Sequence, residues 1–366
     1  MAFAKNEPNG FPNRISKVAV VGVSTYLADP SCGRRHWLHR PKQVLTKPLE
    51  HQAGGRIGKE IATALLKTGQ HSVRALTRAG STTSLPEGVE VAEIDYADES
   101  TIVSALKNID FLVITLSTMV PAGTHSKLVR GAAAAGTKYV MPNSYGPDPA
   151  NEDLMEKTLL GKASKADAAE IQELGMRRVV LSCSFWYEWS LGCGPSAYGF
   201  DLEKRAVTFF DDGNTKINTS TWVQCGRAVA ALLSLKVLPE DEHDKTPTLS
   251  RFFDGIAYVS SFRVSQRDMF ESVKRVTGTK DEDWAITSED SRERWQRGME
   301  ALGKGNRDGF VRAMYSRVFW PRGGGDFETT KGLHNEMLGL SLDEDLDERT
   351  AASIQMAKTG ELPRFG

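Results

Sequence analysis

The fold is decided by two short stretches, KVAVVG at residues 17–22 and AGGRIGKEI at residues 53–61. The first is a β-branched run, typical of a strand covered on both faces. The second places three glycines ahead of apolar residues at helical spacing, which predicts a helix that begins at a glycine-rich turn. Joined end to end, the two stretches would form a strand, a tight turn and a helix, although residues 23–52 separate them.

The glycines of this turn have different expected roles. We expect Gly22 to form the tight turn, Gly55 to let backbone N–H groups approach a pyrophosphate, and Gly58 to allow close packing of helix on strand. The position between a predicted first strand and first helix makes this pattern more specific than glycines alone. The predicted phosphate-binding turn comprises Gly22, Gly54, Gly55, Arg56, Ile57 and Gly58.

The segment 23–52 has neither helical nor strand periodicity, and it interrupts two halves that fit each other. It is interpreted as a probable insertion, either a surface excursion, which closes at little entropic cost, or a retained intron that was translated. A metal site of Cys32, His36, His39 and His51 is a third alternative, but the spacing matches no standard zinc pattern, so no metal is predicted. We expect the full chain to bind a dinucleotide weakly or not at all, and deletion of 23–52 to restore binding.

Beyond this turn, predicted strands alternate with predicted helices as far as residue 184. Such alternation is typical of a parallel sheet wound by right-handed crossovers, with ligands at the carboxyl ends of the strands. The predicted fold is α/β, a Rossmann-type doubly wound parallel sheet with a smaller, mainly helical C-terminal substrate lobe. The predicted parts are a flexible tail at 1–16, a dinucleotide-binding domain at 17–184 and a substrate lobe at 185–366, of which 219–262 partly returns to the sheet.

Composition favours a small-molecule ligand over a polyanionic partner. The chain has 46 Lys and Arg against 47 Asp and Glu, a formal net charge of -1, so no global field attracts nucleic acid or an anionic membrane. Apolar runs are shorter than the roughly 20 residues of a membrane helix. The four cysteines are scattered without a CxxC pair, which favours thiols in a reducing compartment. We therefore expect a cytoplasmic protein.

The residue that ends the second predicted strand indicates which dinucleotide binds. An acidic residue there would hold the ribose 2'-hydroxyl of NAD, whereas an arginine accommodates the 2'-phosphate of NADP. This chain has Arg78, and Arg56 in the glycine turn could supply a second contact to the phosphate. The alternative is that Arg78 is only the solvated end of a strand. The sequence therefore predicts NADP(H).

Several stretches together resemble the NmrA-like and isoflavone-reductase-like branch of atypical short-chain dehydrogenases, particularly its fungal members. They are VVG with AGGRIG, RALTR, DYADESTIVSALKNIDFLVITLS, MPNSYGPD, SFWYEWSL and VTFFDDGNTKINTSTWVQCGRAVA. The resemblance implies a Rossmann fold that binds NADP(H) along the strand ends. It implies that Arg78 meets the 2'-phosphate, that Asp95 and Tyr96 flank the adenine and that Ser117 lines the cofactor. The loop of Pro142, Asn143 and Ser144 would lie beside the nicotinamide.

The resemblance also implies that a lysine after this loop serves as general acid. Lys162 occupies that place, with Lys157 and Lys165 as rivals, and partial burial would lower a lysine pKa toward the working pH. No YxxxK spacing occurs in the chain, so the tyrosine–lysine pair of ordinary short-chain dehydrogenases is absent. An aromatic cluster after the sixth strand could form an apolar substrate pocket, with Tyr187 or Glu188 as its polar group.

Two functions follow from these residues. The first is an NADPH-dependent reductase of a small aromatic or conjugated carbonyl or enone, with Lys162 and Tyr187 as catalytic candidates. The second is a regulator that binds NADP without turnover and transmits the redox state to a protein partner, as NmrA-like members imply. A properly placed acid would separate the two functions.

Overall fold

The computed structural model describes residues 2–22, 53–81, 84–117, 120–341 and 343–366. The strands are β1 (Lys17–Val21), β2 (Ser72–Arg78), β3 (Glu90–Ile94), β4 (Phe111–Ile114), β5 (Tyr139–Met141), β6 (Arg177–Ser182), β7 (Phe185–Trp186), β8 (Phe200–Asp201), β9 (Ala206–Phe210), β10 (Ile217–Ser220), β11 (Gly255–Tyr258), β12 (Phe262–Val264) and β13 (Ala285–Glu289). The helices are α1 (Ala53–Lys67), α2 (Glu99–Ala105), α3 (Thr124–Ala134), α4 (Glu152–Lys157), α5 (Gly161–Glu173), α6 (Tyr187–Gly192), α7 (Trp222–Leu233), α8 (Gln266–Thr277), α9 (Ser291–Gly303), α10 (Asp308–Val318), α11 (Glu328–Lys331) and α12 (Leu346–Lys358).

Within these ranges, seven parallel strands form one sheet in the order β11-β6-β5-β4-β1-β2-β3. From β1 the chain first builds the sheet outward through β2 and β3, and then crosses to β4 on the other side. The order therefore reverses between β1 and β4, and ligands of doubly wound sheets bind at such a point. The predicted Rossmann-type fold class is confirmed.

Strand β1 shows why the alternating pattern produces this fold. Val18 and Val20 pack into the hydrophobic cluster on one face of the sheet, while Ala19 and Val21 pack into the cluster on the other face. All four side chains are fully buried. A strand covered on both faces has no polar side, which explains the continuous apolar run in the sequence.

Helices α1 and α7 pack closely on one face of the sheet. A Cβ atom added at Gly226 of α7 would lie 2.7 Å from the carbonyl oxygen of Glu60 in α1. Thr221 caps α7, since its hydroxyl accepts a hydrogen bond from the Gln224 backbone N–H at 3.0 Å. The close approach of Gly226 to Glu60 places α7 directly against α1, the helix that carries Gly55.

The C-terminal lobe contains α8 to α12 together with two three-stranded sheets, ordered β12-β10-β7 and β13-β9-β8. Its core is a separate cluster of mostly aromatic and aliphatic side chains, including Tyr187, Tyr198 and Phe319. Strand β11 leaves this lobe and joins the large sheet beside β6. The two small sheets were not predicted from the sequence, because β7 and β8 have only two residues each.

The N-terminal segment differs from the expected flexible tail. The Ala4 backbone N–H donates to the carbonyl oxygen of Pro239 at 2.9 Å, and the Asn13 side chain donates to that of Leu238 at the same distance. Ile15 is buried in the cluster that covers the sheet. Residues 4–15 are therefore held against the chain that follows α7.

Candidate functional site

A cavity of about 300 Å³ opens at the carboxyl ends of β1, β2 and β4. It lies where the strand order reverses, as the fold predicts for a ligand site. Its walls are formed by Gly22, Gly55, Leu76, Arg78, Tyr96, Ala97, Thr115, Leu116, Ser117, Val120, Pro121, Ala122, Thr124 and Lys127. Five of the residues predicted from the sequence are among them, namely Gly22, Gly55, Arg78, Tyr96 and Ser117.

Gly22 is the point at which the chain turns beside β4. Its φ angle is +86°, and a Cβ atom added there would lie 1.9 Å from the carbonyl oxygen of Thr115. The hydroxyl of Thr115 also donates to the carbonyl of Val21 at 2.7 Å. Since no side chain fits, only glycine lets the strand end approach β4 this closely.

The two halves of the glycine motif meet at this cavity. Gly55, in the first turn of the 15-residue helix α1, lines the same space as Gly22. Gly54 belongs to the same turn of α1, and Ile57 and Gly58 are buried beneath it. A helix N-terminus beside a glycine turn presents N–H groups and a positive dipole end, which suits a pyrophosphate.

The substitution Gly22→Ala is expected to lower the free energy of unfolding by about 3 kcal/mol or more, because it adds both left-handed strain and a backbone clash. Gly69→Ala is the matched control, because its φ is +66° with nothing within 4 Å of the added Cβ atom. Left-handed strain alone costs that control about 1–2 kcal/mol. Denaturant unfolding measures both, and equal losses would contradict the described contact with Thr115.

Arg78 supplies positive charge at the end of β2. It is the last residue of the strand, half-buried, and lies on the cavity wall near Tyr96. Burial raises the pKa of Tyr96 to about 12, and the charge of Arg78 opposes this rise. Tyr96 is therefore a neutral phenol at physiological pH, with a cation within electrostatic reach.

Lys127, in α3, is a cavity residue that the sequence analysis missed. Its ammonium donates to the carbonyl oxygen of Tyr96 at 2.6 Å, and its side chain lines the cavity. It therefore adds a second positive charge to the wall that contains Arg78, and it ties α3 to the loop after β3. Its place in the first turn of the helix after β4 is the signal that could have found it.

The predicted loop at 142–144 acts on the cavity indirectly. The Asn143 side-chain carbonyl accepts from the Leu116 backbone N–H at 3.0 Å, and its amide donates to the Leu116 carbonyl at 3.0 Å. These two bonds hold the chain after β4, where Leu116 and Ser117 form the wall. Pro142, Asn143 and Ser144 do not themselves line this cavity, so their predicted place beside the nicotinamide stays a prediction.

Two predicted contacts differ in the structure. Arg56 turns away from the cavity, because its guanidinium pairs with the Glu361 carboxylate at 2.8 Å and lies 5.2 Å from the ring centroid of Trp222. It is therefore placed on the C-terminal lobe and not beside Arg78. Asp95 is exposed, and its carboxylate accepts from the Ala97 backbone N–H at 2.8 Å. It shapes the turn after β3 and does not line the cavity.

Comparison with known proteins agrees with this geometry. Residues 51–185 match the model of the NmrA-like family. The match covers 135 of the 366 residues, and over that part the chain is similar to the NmrA-like family. The chain is 26% identical over 309 residues to the oxidoreductase aprR of Aspergillus flavus, covering 83% of this chain and 97% of that protein.

Solved structures share the fold of this chain. The structures of pinoresinol-lariciresinol and phenylcoumaran benzylic ether reductases align over 92% of this chain and 98% of theirs, with a TM-score of 0.65 at 16% identity. An NADPH-dependent quinone oxidoreductase of Escherichia coli, complexed with NADPH, aligns over 91% of this chain and 98% of its own, with a TM-score of 0.59 at 17% identity. At these identities the likeness concerns the fold.

Neither catalytic candidate is placed as expected. Lys162 lies exposed in the first turn of α5, not in the partly buried setting that would make it an acid. Tyr187 is fully buried in the lobe core, and its hydroxyl is hydrogen-bonded to that of Thr350 at 2.7 Å. The rivals Lys157 and Lys165 pair with Asp153 and Glu152. None of these side chains lines the described cavity.

Some predictions concern residues that the structure leaves undescribed. The insertion or intron at 23–52 lies outside the described residues, as do Cys32, His36, His39 and His51. In the described ranges, no group of three or more His, Cys, Asp or Glu side chains could hold a metal ion. None of the helices described there is long and apolar enough to cross a membrane.

Proposed function

We propose that this chain is an NADPH-dependent reductase of a small aromatic or conjugated carbonyl or enone. The observation that carries the proposal is the cavity at the reversal of strand order, which has the Gly22–Gly55 turn on one side and Arg78 with Lys127 on another. A glycine turn suits a pyrophosphate, and two cations suit the 2'-phosphate of NADPH better than the ribose hydroxyl of NADH.

The described residues fit the cofactor in both shape and charge. Gly22 lies so close to Thr115 that a side chain would not fit there, and the backbone at this position is therefore not covered by a side chain of its own. Arg78 and Lys127 would hold the 2'-phosphate, Tyr96 and Ala97 would contact the adenine, and Ser117 would line the dinucleotide. When bound, NADPH supplies a hydride. The protein orients it, excludes water and provides a proton.

The comparisons support the same reaction class. The aligned Escherichia coli protein is described as an NADPH-dependent quinone oxidoreductase and the aligned Aspergillus flavus protein as an oxidoreductase. Quinones and enones are conjugated carbonyl compounds that accept a hydride. The aromatic residues after β6, in particular Trp186, supply the flat apolar surface that such an acceptor needs.

The experiment that tests this function follows NADPH absorbance with a panel of quinones, enones and aromatic ketones. We expect oxidation of NADPH that saturates with at least one acceptor, and little oxidation of NADH. Loss of the activity in Gly22→Ala, but not in Gly69→Ala, would assign it to the described cavity. Saturable NADPH binding without oxidation by any acceptor would contradict the reductase.

One observation favours a second candidate function. Lys162 is exposed and Tyr187 is fully buried in the lobe core, so neither predicted acid lines the cavity. A regulator that binds NADP(H) and transmits its state to a protein partner needs no acid. In that case the cofactor would bind, but none of the quinones, enones and ketones would be reduced. The affinity for the protein partner would differ between the NADPH-bound and the NADP-bound forms.

A further inference from the structure

Four buried polar atoms without a hydrogen-bond partner belong to residues just after β6 and to residues in the first turn of α7. Buried polar atoms are nearly always hydrogen-bonded, so a group of exceptions indicates that something else completes them. The four atoms are Trp186 Nε1, Glu188 Oε2, Trp222 Nε1 and Gln224 Oε1, and we call these residues the Glu188 cluster. Glu188 is 3% exposed, Trp222 6% and Gln224 0%, and Trp186 is half-buried as a residue although its Nε1 atom is buried.

The members of the Glu188 cluster come from three elements, β7 (Trp186), α6 (Glu188) and α7 (Trp222 and Gln224). The rings of Trp186 and Trp222 have centroids 6.3 Å apart with planes tilted by 47°. The Trp222 backbone N–H donates a hydrogen bond to the Glu188 carboxylate and lowers its pKa. The carboxylate therefore faces the first turn of α7. Gln224 lies in the same turn, and its amide donates to the Ser341 carbonyl at 2.9 Å while its oxygen stays unpaired.

The Glu188 cluster also lies next to the glycine turn. Arg56 directly follows Gly55, which lines the cofactor cavity, and its guanidinium lies 5.2 Å from the centroid of the Trp222 ring. On the other side, the Ser184 backbone N–H donates to the Gly146 carbonyl at 2.8 Å and so joins the end of β6 to the loop after β5. The cluster therefore lies beside the residue that follows Gly55, and it comes directly after the end of β6 that is tied to the loop after β5.

We propose that the Glu188 cluster binds the hydride acceptor and that Glu188 donates the proton of the reduction. The inference rests on the proposed reductase function. The two indole N–H groups are hydrogen-bond donors and the two rings are flat apolar surfaces. The acceptor is therefore a planar conjugated carbonyl compound with at least two acceptor oxygens, such as a quinone.

The reduction adds one hydride and one proton to the acceptor. Bound NADPH would supply a hydride to the electrophilic carbon and become NADP+, so that a C–H bond would form, the π bond of the carbonyl or conjugated system would break and its electron pair would pass to oxygen. Glu188 transfers its carboxyl proton to that oxygen, which yields a hydroxyl group and leaves Glu188 as the carboxylate. A proton that comes ultimately from solvent restores the carboxyl group of Glu188 before the next cycle.

The surroundings keep Glu188 able to donate a proton near neutral pH. Burial raises the pKa of Glu188 to about 7, against smaller lowering effects of backbone N–H groups and of Arg349. Glu344 raises the pKa further by charge repulsion. The other titratable groups that face it are Cys225, Tyr187 and Tyr198. A carboxyl group with a pKa near the working pH is suited to general acid catalysis.

The first test compares Glu188→Gln with the unchanged protein, using NADPH and 1,4-naphthoquinone. We expect kcat to fall by about 100-fold or more, the usual contribution of a general acid, with the Kd for NADPH unchanged within about twofold because the cavity is intact. Thermal unfolding checks that the variant is folded. Retention of most of kcat by a folded Glu188→Gln would overturn the role of Glu188.

The second test measures the pH dependence of kcat/KM, which a carboxyl group with only a structural role would not set in this way. An acid must be protonated, so kcat/KM is expected to be full below the pKa and to fall as the pH rises through about 7. Glu344→Gln removes a charge that raises this pKa, so the fall should move to lower pH while turnover persists. A profile unchanged by Glu344→Gln would contradict the assignment.

The third test measures binding without cofactor, by tryptophan fluorescence with 1,4-naphthoquinone. We expect saturable quenching that weakens in Trp222→Phe, which keeps an aromatic ring and loses the N–H donor, while naphthalene, without oxygens, binds both forms equally. No saturable binding would mean that water fills the cluster and would overturn the proposal. If the quinone binds but NADPH is never oxidised, the reductase function fails and the acid role with it, while the ligand site stands.

Discussion

Replacing Arg78 by aspartate is expected to raise the Kd for NADPH by about 100-fold or more, while the Kd for NADH changes by less than about threefold. The physical reason is that a charge-assisted contact to the 2'-phosphate becomes a like-charge repulsion, and NADH has no phosphate there. Arg78 lines the cavity at the end of β2, so the substitution acts at the ligand. Calorimetric titration of both cofactors measures the difference.

Arg177→Asp is the matched control for this prediction. It changes the net charge by the same amount, but Arg177 is exposed at the first residue of β6, at the opposite edge of the sheet from the cavity. Both variants are best measured in the full chain and in the chain without residues 23–52, so that weak binding by the full chain does not hide the effect. Equal losses for NADPH and NADH would contradict the 2'-phosphate role of Arg78.

Deleting residues 23–52 is expected to tighten NADPH binding by about tenfold or more and to raise the free energy of unfolding by about 2 kcal/mol. Closing a connection of 30 residues costs roughly that much more entropy than closing a turn of two, at about 0.6 kcal/mol per doubling. The family match begins at residue 51, directly where the interruption ends. Gly22 and Gly55 already line one cavity, so the deletion joins stretches that lie together.

Calorimetry and thermal unfolding with and without NADPH, on both forms, measure this effect. The ligand-dependent part of the stabilisation reports binding to the folded state, whereas the ligand-independent part reports closure of the turn. Unchanged affinity and stability after the deletion would show that residues 23–52 are tolerated at the turn without consequence. The interpretation as a foreign insert would then have no functional meaning.

The sequence predicted the sheet and its ligand edge because those features depend on local rules. The apolar alternation in β1 specifies burial on both faces. The positive φ of Gly22 follows from a turn between a strand and a helix. The position of Arg78 could be predicted because a parallel sheet brings the carboxyl ends of its strands to one edge, and this does not depend on the packing of the rest of the chain.

The parts that sequence reasoning missed depend on contacts between distant residues. Lys127 reaches the carbonyl of Tyr96, 31 positions earlier, and no local pattern encodes that hydrogen bond. Arg56 is drawn to Glu361, 305 positions later, which removes it from the phosphate site. The hydroxyl of Tyr187 is hydrogen-bonded to that of Thr350 in α12, so the burial of Tyr187 depends on where α12 packs. These side chains were assigned by position along the chain, and tertiary packing placed them elsewhere.

The measurement that tests the central claim most directly is calorimetric titration of the full chain with 2',5'-ADP and with 5'-AMP. The two compounds differ only in the 2'-phosphate, and neither needs the nicotinamide end or the complete pyrophosphate turn. If the cavity with Arg78, Tyr96 and Lys127 is an NADPH site, 2',5'-ADP should bind about 30-fold more tightly or better, as charge-assisted contacts to two cations require. Equal affinity for the two compounds, or binding of neither, would contradict the account.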